Sequence, residues 1–168
     1  IGFALLGLGA MAKLFPAVLA PIAATWLLAR GRGREALLGV AVFVAVVALL
    51  SLPFLGDGYL DAYRFHLDRP VQIESTPASV LFAIGGSDVT GAPVRPDPYK
   101  SNGLDGGAAG TVAAAFVAFE LLALAWAAVR AYRIPTARGL VLAAFAALLA
   151  FAALGKVLSP QFMIWLVP

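Results

Sequence analysis

The only histidine of the chain stands three residues before an arginine, in the stretch "FHLDRPVQIES" at residues 65–75. On a helix, residues three apart share a face, so His66 and Arg69 can converge on one anion. Phosphate suits them: a guanidinium offers a planar fork of donors, and an imidazole gives a donor or takes a proton. The same pattern suits an interfacial helix in which Arg69 pairs with Asp68 or Glu74, and the spacing alone does not choose. Past Pro70, Gln72, Glu74 and Ser75 supply an amide, a carboxylate and a hydroxyl. On an extended segment such groups take sugar hydroxyls, although any solvated strand face shows the same types. Glu120 sits about halfway along an apolar run, where an ionised carboxylate is costly. It must face protein or carry a proton, either as a hydrogen-bonding group between helices or on an ion pathway. The sequence holds no phosphate-cradling glycine loop, no His/Cys ligand set and no Ser/His/Asp spacing. One histidine excludes a His-rich metal site and leaves an oxygen-ligand divalent site open.

The elements that position these groups belong to a bilayer. Of the 168 residues, 62% are hydrophobic, and the mean hydropathy is +0.93; ordinary soluble domains are roughly 45–50% apolar. The whole chain is expected to be part of one integral membrane domain, with apolar spans at about 1–12, 14–29, 36–55, 108–130, 137–154 and 161–168. The last is cut short, so the sequence reads as a fragment of a longer chain. Lys13 and Pro16 interrupt residues 1–29, which suits a hairpin of two short helices turning at "AKLFP" or one kinked helix. The isoelectric point near 9.6 has a local cause and does not call for nucleic acid. Six of the twelve Lys and Arg, namely Arg30, Arg32, Arg34, Arg130, Arg133 and Arg138, fall in two short loops, as cytoplasmic loops do.

Residues 56–107 then lie on the opposite, outer face, and they carry seven acids against Arg64, Arg69, Arg95 and Lys100. The same topology sends Lys13 and Lys156 outward, where each also reads as a helix-end residue snorkelling to the headgroups. "GDGYLDAYRFHLDR" mixes aromatics with charges, as an interfacial helix does; Pro70 ends it. Residues 71–74 read as extended, and "TPASVLFAIGG" as a short helix with Thr76 as N-cap before Pro77. A Gly, Pro and Asp rich loop follows to residue 107. The expected fold is an all-α polytopic transmembrane helical bundle, with short interfacial helices in an extracytoplasmic loop.

Three segments, "AKLFP" after "GFALLGLGAMAK", "FHLDRPVQIES", and "GKVLSPQFMIWLVP", together resemble glycosyltransferase family 87. These are polyprenol-phosphate-mannose-dependent mannosyltransferases of the C-type (GT-C) architecture. The resemblance implies transfer of a sugar, mannose or in related enzymes arabinose, from a polyprenyl-phosphate donor to a glycolipid or polysaccharide hydroxyl on the extracytoplasmic face, with inversion. It places His66, Arg69, Lys13 and Lys156 at the donor phosphate, and Gln72, Glu74, Ser75 and Gln161 toward sugar and acceptor. The catalytic base, usually an Asp of the first outer loop, is expected upstream of Ile1, so the fragment is expected to be inactive alone, and no cofactor is implied. A composition rich in Ala, Gly and Arg points to a GC-rich bacterial host, hence a bacterial plasma membrane. The rival readings are a transporter or lipid flippase built on Glu120 and the break at Lys13–Pro16, and a membrane scaffold whose outer loop holds a partner.

Overall fold

A computed structural model describes residues 1–56, 58–90, 95–96, 102–104 and 107–158, with the backbone alone at 62, 85–90 and 95–96. The expected span at 161–168 lies outside the described residues. The fold is mostly helical: α1 (Gly2–Ala12), α2 (Leu19–Ala29), α3 (Gly33–Ser51), α4 (Tyr59–Asp68), α5 (Thr76–Thr90), α6 (Gly107–Arg133) and α7 (Ala137–Leu154). Three helical segments are long and apolar enough to cross a membrane, Gly33–Phe54, Gly107–Arg133 and Ala137–Leu154, which fits an integral membrane protein. Large apolar side chains such as Leu37, Leu121, Leu122 and Val141 are left exposed on them. In water that surface would be unfavourable; against lipid tails it is the solvated state.

The chain forms two compact units, Ile1–Leu55 with Ala123–Phe151 and Gly56–Leu122 with Ala152–Pro168. In the first, α1 stops at Lys13, whose backbone is extended, and a 3-10 turn at Phe15–Val18 follows with Pro16 as its second residue, which has no N–H to continue α1. The end of α2 is a Schellman cap: Gly31, at φ +72°, donates to Leu28 and Arg32 donates to Leu27, both at 3.0 Å. Only three residues then join α2 to α3, which pack together and so run antiparallel. The Phe3 ring covers Gly39, Gly7 meets Phe43 and Val46, and Ser51 Oγ lies 3.8 Å from Met11 Sδ. These contacts advance together, so α1 runs parallel to α3 and opposite to α2.

Thr136 caps α7, accepting the Gly139 N–H at 3.0 Å. The Trp26 indole donates to the Thr136 carbonyl at 3.0 Å and Arg30 to that of Pro135 at 2.9 Å. Both arginine-rich turns therefore occupy one end of this unit, and Lys13 lies at the other. Ile22 of α2, Ala127 and Ala131 of α6, and Ala143 and Ala147 of α7 form the buried core. Alanines four apart present a flat seam along each helix, so backbones approach closely and gain dispersion contacts.

The second unit has a core of Val71, Ala78, Leu81, Leu104 and Ala109. It contains a small sheet, in order β1 (Val71–Gln72), β3 (Asn102–Leu104), β2 (Arg95–Pro96). Val71 pairs with Leu104 and Gln72 with Gly103, antiparallel. The sequence reading ended the helix at Gly86 and placed only loop from there to 107, so β2, β3 and the continuation of α5 to Thr90 are additions. Ser75, not Thr76, caps α5: its Oγ accepts the Ala78 N–H at 3.4 Å, and Thr76 is exposed.

Candidate functional site

The "FHLDRPVQIES" segment folds as the end of α4, a turn at Pro70, β1 and the cap of α5. Helix α4 starts after Gly58, whose φ of +93° belongs to the left-handed region that glycine enters without strain. Leu60, Tyr63 and Leu67 recur on one exposed face, which suits a helix lying at a headgroup layer. Arg64 pairs with Asp61 at 3.3 Å on the solvated side. Tyr59 and Tyr63 meet edge to face with hydroxyls 3.1 Å apart, and that hydrogen bond holds the Tyr63 phenol above its usual pKa.

At the C-terminal end of α4 a lysine arrives from 89 residues away: Lys156 Nζ donates to the Leu67 carbonyl at 2.5 Å. A cation there also meets the negative end of the helix dipole. The same residue's carbonyl accepts the Gln72 N–H at 2.9 Å, so Lys156 clasps the segment on both sides of Pro70. Burial pulls the Lys156 ammonium below its ordinary pKa; the Asp68 carboxylate opposes this and the Arg69 guanidinium adds to it. Arg69 is half-buried, with its guanidinium 5.8 Å from the centre of the Phe65 ring. Among the described residues it forms an ion pair with neither Asp68 nor Glu74.

Two buried side-chain atoms of this cluster have no hydrogen-bond partner, Arg69 Nε and Gln72 Oε1. One is a donor carrying positive charge and the other an acceptor. An unmet polar atom costs about 1–3 kcal/mol, more when charged, so native structures seldom leave two within four residues without something to meet them.

Of the other expected site residues, Ser75 is fully buried and its hydroxyl is committed, donating to the Gln72 carbonyl at 2.6 Å besides capping α5. It holds the β1 turn in shape. His66 is exposed on α4, its ring edge-on to Phe65 with centroids 5.6 Å apart. Glu74 is exposed on the turn after β1. Lys13 is exposed in the first unit, and Gln161 lies outside the described residues. Glu120 is partly buried on α6. The described residues contain no cluster of three or more His, Asp or Glu side chains placed to hold a metal. The sequence reading missed the Leu67 carbonyl as the anchor for Lys156, and no side-chain pattern could have found a backbone atom.

No family model matches the chain, and no curated protein or solved structure matches it.

Proposed function

We propose that the protein is part of a membrane glycosyltransferase that moves a sugar, mannose in the first instance, from a polyprenyl-phosphate donor to a hydroxyl of a cell-envelope glycolipid or glycan on the extracytoplasmic face. The observation that carries this reading is that Arg69 Nε and Gln72 Oε1 are both buried and unmet, on residues that each neighbour Lys156, Arg69 through its charge and Gln72 through its N–H. A phosphate ester of a sugar has the matching parts: phosphate oxygens for Arg69 and Lys156, and a ring hydroxyl for Gln72.

In the reaction the acceptor oxygen forms a bond to the anomeric carbon as the bond from that carbon to the phosphate oxygen breaks. The phosphate leaves with the electron pair. Charge therefore grows on the leaving oxygen, and two cations already in place stabilise the transition state more than the bound donor. Burial has made the Lys156 ammonium costly to keep charged, so an arriving anion gains more from it than from a fully hydrated lysine. Arg69 and Lys156 hold the phosphate, Gln72 orients the sugar, and Ser75 fixes the turn that carries Gln72. His66 is close enough in sequence to lend a donor at the phosphate's rim. The proton of the acceptor hydroxyl passes to a carboxylate, for which the family resemblance points to an Asp of a first outer loop.

The test separates binding from turnover. Farnesyl phosphate, a short polyprenyl phosphate, is titrated into the detergent-solubilised chain beside farnesol. Binding of the phosphate at least tenfold over the alcohol is expected, falling about tenfold or more in Arg69→Gln and in Lys156→Gln, since bonds to charged groups contribute about 1.5–3 kcal/mol. Equal binding of farnesol, or full binding by Arg69→Gln, would refute the site. In membranes carrying the whole enzyme, labelled mannose should pass from donor to glycolipid. Movement of labelled lipid between leaflets with no sugar transfer would establish the flippase reading instead.

A further inference from the structure

At the arginine-rich end of the first unit, an open groove of ≈ 380 Å³ runs between the end of α6 and the start of α7. Arg130 and Arg138 stand at it with Ile134, and Trp126, Leu142 and Ala146 line its apolar length. The Arg130 guanidinium lies 5.9 Å from the Trp126 ring centre. A close turn shapes the groove: a Cβ at Gly139 would collide with the Ile134 carbonyl and side chain, so only glycine lets α7 begin this near the end of α6.

Charge selects the occupant. This unit holds Lys13 and six arginines against a single acid, Glu35, and Glu35 is already held by a two-bonded pair with Arg32. Arg30 is occupied by the Pro135 carbonyl and the Trp26 face. Arg130 and Arg138 have no acidic partner among the described residues. Cations above an apolar wall at the end of bilayer-length helices match one kind of molecule, with an anionic head and an acyl tail. A groove of this volume is at the small end of ligand sites, room for a headgroup and the first part of a chain, with the rest lying along the exposed faces of Trp126 and Leu142.

We infer that this groove binds the phosphate headgroup of an anionic glycerophospholipid, with Arg130 and Arg138 on the phosphate and the acyl chain against Trp126, Leu142 and Ala146. The site is independent of the proposed donor site in the other unit. The full 168-residue chain, taken from vesicles of equal phosphatidylglycerol and phosphatidylcholine, is examined by native mass spectrometry for retained lipid, with circular dichroism to establish that each variant keeps its helix. Phosphatidylglycerol should be retained in preference. The double variant Arg130→Gln/Arg138→Gln should retain it at least about 30-fold more weakly, as the loss of two charge-assisted contacts to one phosphate requires. Arg34→Gln/Arg133→Gln removes the same charge elsewhere and should leave retention unchanged. Ala146→Phe fills the groove with all charges present and should lose the lipid. Equal retention of phosphatidylcholine, equal loss in the two double variants, or displacement of the lipid by millimolar glycerol phosphate would overturn the inference. If the Arg130/Arg138 variant does not fold, Ala146→Phe decides alone: loss supports the site and full retention overturns it.

Discussion

Replacing Ser75 by alanine tests whether this residue holds the candidate site in shape or touches its ligand. The side chain is fully buried, and its hydroxyl makes two bonds, one donated to the Gln72 carbonyl at 2.6 Å and one accepted from Ala78 at 3.4 Å. The accepted bond is long, so its share lies at the lower end of the roughly 0.5–2 kcal/mol that a cap contributes. The donated bond is short, and its loss costs about 1 kcal/mol, the Gln72 carbonyl keeping the Ser75 N–H at 2.9 Å. Ser75→Ala should then cost about 1.5 kcal/mol, which raises opening of the first turn of α5 roughly tenfold. Hydrogen exchange read by mass spectrometry on the segment from Val71 to Ile84 measures this directly. Thr76→Ala, at the exposed neighbour, should leave exchange unchanged. If the two variants behave alike, or if Ser75→Ala loses farnesyl phosphate binding with exchange unaltered, the assignment of Ser75 as a positioning residue is wrong.

Lys156 should leave a mark on stability against pH. Its pKa is lowered in the fold, so the unfolded chain binds that proton more tightly, and thermal stability in detergent should rise between the lowered value and the ordinary 10.5; Lys156→Met should flatten this limb. Gly39→Ala sets a methyl against the Phe3 ring, and the overpacking should lower stability by about 1–3 kcal/mol. Phe3→Leu should restore part of the loss, and a purely additive double variant would show that the two do not touch. Arg64→Cys and Arg34→Cys, both at exposed positions, test orientation: an impermeant maleimide applied from outside should label the first and spare the second, and the reverse pattern would invert the topology.

The helices were legible where a local rule governs them. Apolar runs of bilayer length announce α3, α6 and α7, and Lys13 with Pro16 announces the break between α1 and α2. Other features depend on partners remote in sequence. The strand Asn102–Leu104 has no β-forming composition; it is extended because Leu104 is buried against Val71. Ser75 and Thr76 are equally good caps on paper, and burial against the core of the second unit separates them. Arg69 was open to pairing with Asp68 or Glu74 in sequence. In the fold it is half-buried over Phe65 near Lys156 instead, and an unmet Nε becomes visible only with coordinates.

The clasp made by Lys156 also sets an order of events during biogenesis. Its ammonium reaches Leu67 across 89 residues, and its carbonyl receives Gln72 from nearly as far, so neither contact exists until α6 and α7 have been synthesised and inserted. Closing so long a loop is entropically costly and late. A ribosome paused within α7 would expose "FHLDRPVQIES" with its cradle unmade.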